Sequence, residues 1–107
     1  MASTHTKVAL NNATYVLLNS AAALGLCSVF PQLVDMYLAV GTTTTPPTDD
    51  TASMRIPSAY SGGAMAGFTI AANFPGLSGA QYLFGKIAPA PGQTVAPSTG
   101  EVMVSCA

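Results

Sequence analysis

The side chains that could do chemistry are few and scattered along the sequence. His5 is the only histidine, and it lies close to the first residue, where a side chain is least expected to be held rigidly. A nucleophilic site needs a base that is oriented by an acid, and a metal site needs several ligands. Neither a second histidine nor a pair of carboxylates accompanies His5 in the sequence. We therefore predict that His5 is neither catalytic nor a metal ligand.

Asp49 and Asp50 are the only adjacent carboxylates, and they follow a run of threonines and prolines. Adjacent acids in a polar loop could bind calcium together with hydroxyl and backbone oxygens. The sequence does not continue with the alternating oxygen ligands and the closing glutamate of a calcium-binding loop. This favours a solvated loop at these residues over a calcium site.

The two cysteines, Cys27 and Cys106, are too few for a disulfide scaffold, and their spacing matches no metal-site pattern. We expect both in the hydrophobic core, with a single bridge between them as the alternative. Gly62-Gly63 is not followed by Lys-Ser or Lys-Thr, so it indicates a turn rather than a phosphate-binding loop. With no catalytic, cofactor-binding or metal-binding residue predicted, the chain is not expected to be an enzyme.

Aromatic side chains are the remaining candidates for a binding surface. Their rings offer a large flat contact area, and tyrosine adds a polar group, so they could line a surface for sugar or protein. They could equally fill the core of the domain. The absence of tryptophan favours a core or a protein interface over a carbohydrate site. The candidates are Tyr37, Tyr60, Tyr82 and Phe84.

Charge is scarce, because 7% of the residues are charged against about 25% in an average soluble domain. The three cations, Lys7, Arg55 and Lys86, are far apart in the sequence and predict no basic cluster of the kind that nucleic-acid binding requires. A formal net charge of -1 gives little protection against self-association. We therefore expect a surface partly covered by partner proteins, including further copies of the chain. A monomer kept soluble by serine, threonine and asparagine is the alternative.

Apolar residues recur at every second position, which is typical of β-strands with one buried face. In residues 34–40 this pattern predicts a buried face that starts at Val34 and a partly wet face that starts at Asp35. Residues 101–106 repeat the alternation at the end of the sequence. The predicted inward residues are Val34, Met36, Leu38, Val40, Leu83, Ile87, Val102, Val104 and Cys106. Further strands are predicted at residues 4–10, 14–18, 24–30, 54–58, 66–72 and 81–87.

Turn-forming residues separate these strands. Asn11-Asn12-Ala13 predicts a hairpin between the first two strands, and Pro31-Gln32 predicts a turn within the long apolar segment 15–40. Polar residues and a proline interrupt that segment, so it is not expected to cross a membrane. Between residues 21 and 30 a run of alanines favours helix, whereas Gly25 and the residues after it favour a strand, which we adopt.

Short strands separated by glycine- and proline-rich loops, without an amphipathic helix, predict an all-β fold. We expect residues 1–107 to form a single antiparallel β-sandwich, jelly-roll-like, with about eight strands. Residues 1–4 and the tip of the loop 41–50, called the Thr-Pro loop below, are expected to be mobile. The sequence starts without the charged and apolar regions of a signal peptide, which predicts synthesis in the cytoplasm.

Four segments follow one another in an order that carries a resemblance. They are Tyr15-Val16-Leu17-Leu18, then Met36-Tyr37-Leu38-Ala39-Val40-Gly41 with the Thr-Pro loop, then Tyr82-Leu83-Phe84-Gly85-Lys86, and finally Val102-Met103-Val104-Ser105. This order resembles small virion proteins of tailed phages, in which such a strand often precedes a threonine- and proline-containing loop and a valine-serine strand closes the chain. Residues 53–79 match only in their apolar rhythm.

The resemblance implies a structural virion protein, which is a capsid decoration or cement protein or a neck or tail component. Such a protein binds the major capsid protein or other virion proteins as part of a homo-oligomer, and it reaches the virion after synthesis in the host cytoplasm. No cofactor, nucleic acid or membrane is implied, and no catalytic residue is carried over. The alternative is a carbohydrate-recognition or adhesin module that binds through the Thr-Pro loop and residues 73–79.

Overall fold

The computed structural model describes residues 4–19, 26–50, 53–59, 62–74, 76 and 82–106. Within these residues the chain forms eight β-strands and one helical turn of four residues. The strands are β1 (Thr4–Leu10), β2 (Val16–Leu17), β3 (Cys27–Gln32), β4 (Asp35–Gly41), β5 (Met54–Ile56), β6 (Met65–Phe68), β7 (Tyr82–Ala88) and β8 (Gly100–Cys106), and the helical turn is α1 (Ile70–Asn73).

The strands form two antiparallel sheets of four strands each. The first sheet has the order β1-β8-β3-β6, and the second has the order β2-β7-β4-β5. The eight strands pair as they would in one long hairpin, namely β1 with β8, β2 with β7, β3 with β6 and β4 with β5. Successive pairs lie in alternate sheets. The predicted all-β antiparallel sandwich is therefore confirmed.

The main core is made of residues that alternate inward along the strands. Met36 and Leu38 of β4 and Val102 of β8 are 0% exposed, as the alternation in the sequence predicts. Each such apolar side chain stabilises the fold by about 1.5–3 kcal/mol relative to an exposed one. Val40 is half-buried and packs against this core. The buried members are Leu10, Leu18, Cys27, Val29, Val34, Met36, Leu38, Ile56, Phe68, Ile70, Leu83, Ile87, Val102, Val104 and Cys106.

The predicted hairpin at residues 11–13 is wrong, although the turn itself is present. The side-chain oxygen of Asn11 accepts hydrogen bonds from the backbone N–H groups of Ala13 and Thr14, at 2.8 and 2.7 Å. The strands on either side of this turn lie in different sheets, because β1 pairs with β8 and β2 pairs with β7. Asparagine chemistry sets the local reversal, but burial of the two inner faces decides which strands pair.

The turn predicted at Pro31-Gln32 lies two residues further on. Pro31 is buried within β3, opposite Val102 of β8, and the chain turns at Leu33. The backbone N–H of Val34 donates to the carbonyl oxygen of Gln32 over 2.6 Å, and Leu33 between them has a φ of 55°. This is a three-residue turn of the strained kind, and it joins the first sheet to the second.

The strand predicted at residues 66–72 is correct only up to Phe68, the last residue of β6. After it, the hydroxyl oxygen of Thr69 accepts a hydrogen bond from the backbone N–H of Ala72 over 3.2 Å and caps α1. Ile70 is buried in the main core all the same. The spacing of the apolar residues therefore identified the buried positions, but the capping threonine changed the backbone from strand to helix.

Other boundaries agree with the prediction only in part. The first strand starts at Thr4 as predicted, opposite Cys106, and residues 1–3 of the terminus expected to be mobile lie outside the described residues. The strand predicted at 24–30 is β3, which starts at Cys27 and ends at Gln32. Residues 20–25 lie outside the described part of the chain. No helix among the described residues is long and apolar enough to cross a membrane.

Candidate functional site

The second sheet carries an apolar cluster on the face that points away from the main core. Tyr37 and Ala39 of β4, and Tyr82 and Phe84 of β7, alternate with the inward residues of these strands. Phe84 is 0% exposed, so the partly wet face predicted for β4 is in fact largely covered. We call this set the outer-face cluster. Its members are Tyr15, Leu17, Tyr37, Ala39, Tyr82 and Phe84.

The aromatic residues predicted as binding candidates belong to this cluster, apart from Tyr60, which lies outside the described residues. Tyr37 and Tyr82 are half-buried, and Phe84 is fully buried. A ring that stacks on a sugar must present a free face, and the Phe84 ring presents none. Core filling, one of the two roles expected for these residues, is the role that the packing supports.

Asp50 fastens the Thr-Pro loop to the outer-face cluster. The hydroxyl of Tyr15 donates a hydrogen bond to Asp50 Oδ1 over 2.8 Å, and Lys86 Nζ lies 2.7 Å from the same oxygen. Lys86 Nζ is also 5.2 Å from the centre of the Tyr15 ring and 5.9 Å from that of Tyr37, within the range of cation–π contacts. The expected solvated loop at Asp50 is therefore corrected: this carboxylate is half exposed but bound on one side.

The protonation states of Tyr15 and Asp50 follow from their surroundings. Burial is the main cause that raises the pKa of Tyr15 to about 12, and the nearby Asp50 acts in the same direction against a hydrogen bond with Ser53. The Lys86 ammonium group holds the pKa of Asp50 below its ordinary value of 3.8. At neutral pH the tyrosine is therefore a hydrogen-bond donor and the aspartate an ionised acceptor. These states suit a structural tie between loop and sheet.

A groove of about 350 Å³ opens beside Tyr15 and Lys86. The Thr-Pro loop forms one wall of the groove, and the turn after β1 together with β7 forms the other. Its lining is mostly apolar, with the aliphatic stem and ammonium group of Lys86 at one side. The lining residues are Ala13, Thr14, Tyr15, Pro46, Pro47, Thr48 and Lys86.

The other two cations are also held by acids. Arg55 forms an ion pair with Asp35, and it donates to the carbonyl oxygen of Pro89 over 2.9 Å. Asp35 is buried and accepts a further bond from the backbone N–H of Ser58 over 2.8 Å. Lys7 Nζ lies 3.7 Å from Glu101. Each lysine and arginine of the chain therefore lies beside an acidic side chain.

Cys27 and Cys106 lie directly opposite each other on β3 and β8. Both are buried in the main core and are not joined by a disulfide, which confirms the core position predicted for them. Burial is the first cause that raises the pKa of Cys27 to about 12, followed by a hydrogen bond with Cys106. Thiols of this kind are poor nucleophiles, because the reactive thiolate is hardly populated.

The remaining sequence candidates are placed apart from one another. His5 lies in β1 opposite Ser105, far along the chain from Asp50 and its partners. Gly62 has a φ of 80° and donates to the carbonyl oxygen of Ala59 over 3.2 Å, so it is the turn residue that the sequence predicts. Among the described residues, no three histidine, cysteine, aspartate or glutamate side chains are grouped closely enough to hold a metal ion.

Sequence reasoning missed two features of the molecule: the contacts of Asp50 with Tyr15 and Lys86, and the exposed turn at Leu33 between β3 and β4. The residues of the tie are 35 positions apart in the chain, so no local signal announces it. Comparisons with protein-family models, curated proteins and solved structures found no match to this chain.

Proposed function

We propose that this chain is a structural virion protein, a capsid decoration or cement protein that binds shell subunits as part of an oligomer. The support is a sandwich of few charges, with each cation held by an acid, and with apolar side chains presented to solvent. Charge deficits of this kind are typical of surfaces that are covered by protein partners. Among the described residues, the exposed large apolar side chains are Leu26, Leu33, Met54 and Val95.

Leu33 is the observation that carries the proposal. Its side chain is 78% exposed, and its φ of 55° is a backbone conformation that glycine or asparagine adopts at far lower cost. A non-glycine residue held in this region costs about 1–3 kcal/mol, and such strain is concentrated at functional sites. Neither strain nor an exposed leucine stabilises the isolated domain. A role in contact with another protein gives both a purpose.

The sheet topology adds support at the level of fold. An eight-stranded hairpin wound into two sheets, with the orders β1-β8-β3-β6 and β2-β7-β4-β5, is the arrangement expected of a jelly roll. Viral capsid and lectin domains are among the proteins built on that architecture. This support is an analogy of fold, since one architecture serves many functions.

The test uses empty shells assembled from the major capsid protein that the same genome encodes. The purified chain is mixed with the shells, and binding is measured by co-sedimentation over a range of chain concentrations. We expect saturable binding with a fixed number of copies per shell subunit. A chain that stays in the supernatant at every concentration would overturn the proposal.

Two variants at one position make this test specific. Leu33→Asn is expected to weaken shell binding at least tenfold (about 1.4 kcal/mol) while the melting temperature stays the same or rises, because asparagine relieves the backbone strain. Leu33→Met keeps an apolar side chain and is expected to bind as the wild type does. Equal binding by all three proteins would show that Leu33 is not the contact.

A carbohydrate-recognition or adhesin module is the second candidate, favoured by the groove beside the Thr-Pro loop. Pro46 and Pro47 of that loop line it together with Lys86, so a small ligand could be held between loop and sheet. Residues 75 and 77–79 of the second loop invoked for this function lie outside the described part of the chain. Saturable binding on a glycan array that is lost on Pro47→Ala would favour this candidate, and a blank array would eliminate it.

A further inference from the structure

The four edges of the two sheets are protected to different degrees. The edge strands of the second sheet are short, with two residues in β2 and three in β5. In the first sheet, β6 has four residues, a shift of register against β3, and a glycine, Gly67, with a φ of 62°. Short strands and irregular register are common ways of preventing a further strand from pairing.

The opposite edge of the first sheet lacks these features. All seven residues of β1 pair with β8 in an unbroken register from Thr4 to Leu10. The strand contains no proline or glycine, and within the described chain no strand pairs with its other side. A long regular edge presents a row of backbone N–H and C=O groups that can pair with another strand.

We propose that β1 pairs in antiparallel fashion with β1 of a second copy of this chain. The first sheets of the two copies, with four strands each, then form one continuous sheet across a two-fold axis. Such an interface is self-complementary, as a two-fold dimer requires. The occupant of this edge is thus a second copy, and the main-chain hydrogen bonds supply the affinity.

The side chains of β1 select the register of the pairing. When a two-fold axis perpendicular to the sheet relates the two β1 strands, the residue on the axis lies opposite the same residue of the second copy. The residue before it lies opposite the residue after it in the second copy. An axis at Lys7 would place two ammonium groups directly opposite each other, which is destabilising. An axis at Val8 places the half-buried valines of the two copies together and sets Lys7 of each copy opposite Ala9 of the other.

Charge complementarity supports the register centred on Val8. Ala9 lies opposite Glu101 of β8, and its small side chain is exposed. Lys7 of one copy therefore faces Glu101 of the second copy across Ala9, at two strand spacings or about 10 Å between backbones, which the two long side chains can span. Each Lys7 already lies 3.7 Å from Glu101 of its own copy. Two lysines and two glutamates then alternate along the joined face.

The inner face of β1 fits the same register. Val8 packs partly against the main core, and its remaining surface is exposed at the edge. A second Val8 at this point covers that surface and extends the apolar layer from one copy into the next. Backbone pairing, apolar contact and charge therefore all favour one arrangement.

This inference rests on the oligomer named in the proposed function, but the two can fail separately. Self-association is measured on the purified chain alone, and shell binding is measured with the shells described above. A monomeric chain that binds shells would overturn the pairing of β1 and leave the virion proposal standing. A chain that dimerises through β1 but binds no shell would overturn the virion proposal and leave the pairing of β1 standing.

The test compares two charges at one position by light scattering with size-exclusion chromatography over a dilution series. Ala9→Lys sets an ammonium group opposite Lys7 of the second copy, and within one copy it lies opposite Glu101, where it is tolerated. We expect its dimer dissociation constant to rise about tenfold or more, because the repulsion acts twice, while its melting temperature equals that of the wild type at dilutions where both are monomers. Ala9→Glu faces Lys7 of the second copy instead and is expected to remain a dimer, with a lower melting temperature because it lies directly opposite Glu101 of its own copy.

Hydrogen exchange supplies a second readout. The outward amides of β1 should exchange more slowly in the concentrated wild-type protein than in Ala9→Lys, while the amides of β4 exchange equally in both. Wild-type dimers should also weaken as salt is raised, since the charged rows are exposed. A wild-type chain that is monomeric at millimolar concentration, or an Ala9→Lys variant that dimerises as the wild type does, would overturn the inference.

Discussion

The two faces of the second sheet are both buried, but by different means. The inner face packs aliphatic residues such as Met36 and Leu38 into the main core. The outer face packs aromatic residues such as Tyr15 and Phe84, and the tie between Asp50 and Lys86 fastens the Thr-Pro loop against it. Hydrophobic burial therefore accounts for the packing of the inner face, whereas the outer face also depends on the ion pair between Asp50 and Lys86.

The largest effect is expected at the inner face. Leu38→Asp should abolish cooperative folding, because an unpaired carboxylate would replace a completely buried side chain. Circular dichroism and a thermal melt would measure the loss. Met54→Asp is the matched control, since Met54 lies opposite Leu38 on β5 but is 40% exposed, and it should still fold. A soluble Leu38→Asp variant with a cooperative melt would contradict the assignment of this face.

The outer face should tolerate a large truncation without losing the fold. Phe84→Ala removes the completely buried ring at the centre of the outer-face cluster, and such substitutions cost about 3–5 kcal/mol. Urea denaturation followed by fluorescence of the tyrosines would measure this free energy. A cost below about 1 kcal/mol would show that the cluster is loosely packed rather than a second core.

A smaller effect is expected at the outer face, where the stability that Asp50 contributes depends on pH. The pKa of Asp50 is lowered in the folded chain, so its ionised form stabilises the fold above the ordinary pKa of 3.8. That contribution is lost as the pH falls from this value through the lower folded pKa. Asp50→Asn should lower stability by about 0.2–1 kcal/mol at pH 7, as expected of a half-exposed ion pair, and should flatten the fall in stability near pH 4.

Asp49→Asn is the matched control for this pH dependence. Its neighbour Asp50 is the acid that contacts Lys86 and Tyr15, and the negative charge of Asp49 raises the pKa of Asp50. Removing that charge should leave stability nearly unchanged at pH 7 and keep the acid-induced fall. If the two variants gave the same pH profile, the tie would not depend on Asp50 specifically.

The smallest effect concerns the chemical reactivity of the main core. Burial raises the pKa of the Cys27 thiol to about 12, so very little thiolate is present at pH 8, and burial also limits access of a reagent. Alkylation by iodoacetamide, followed by mass spectrometry, should be slow in the native chain and fast in urea. Rapid labelling of the native chain would show that the core opens readily at β3 and β8.

Part of this structure could be predicted from the sequence alone. The inward positions of β4, β7 and β8 were correct because apolar residues at every second position leave one buried face, whatever the neighbouring strand. The prediction failed at residues 11–13, where the asparagine turn is local but the strands it joins enter different sheets. It also failed after Phe68, where a single capping threonine turned the backbone from strand to helix.

The candidate site was less predictable than the fold. Tyr37, Tyr82 and Phe84 were identified as aromatic candidates, but whether they would face solvent or a second cluster depended on where the Thr-Pro loop lies. Asp50 was identified as one of a pair of acids, yet its partners are supplied by other parts of the chain. No pattern around Leu33 signalled a strained turn, since leucine is rare in that conformation.

The sequence by itself determined that the chain is all-β, that charge is scarce, and which residues along β4, β7 and β8 turn inward. These properties follow from composition and from the alternation of side chains along an extended backbone. Only the tertiary structure decided which strands pair, that both faces of the second sheet are buried, and that the Asp50 carboxylate meets Lys86 and Tyr15. Those outcomes depend on contacts between residues far apart in the chain, which arise only when the two sheets have formed.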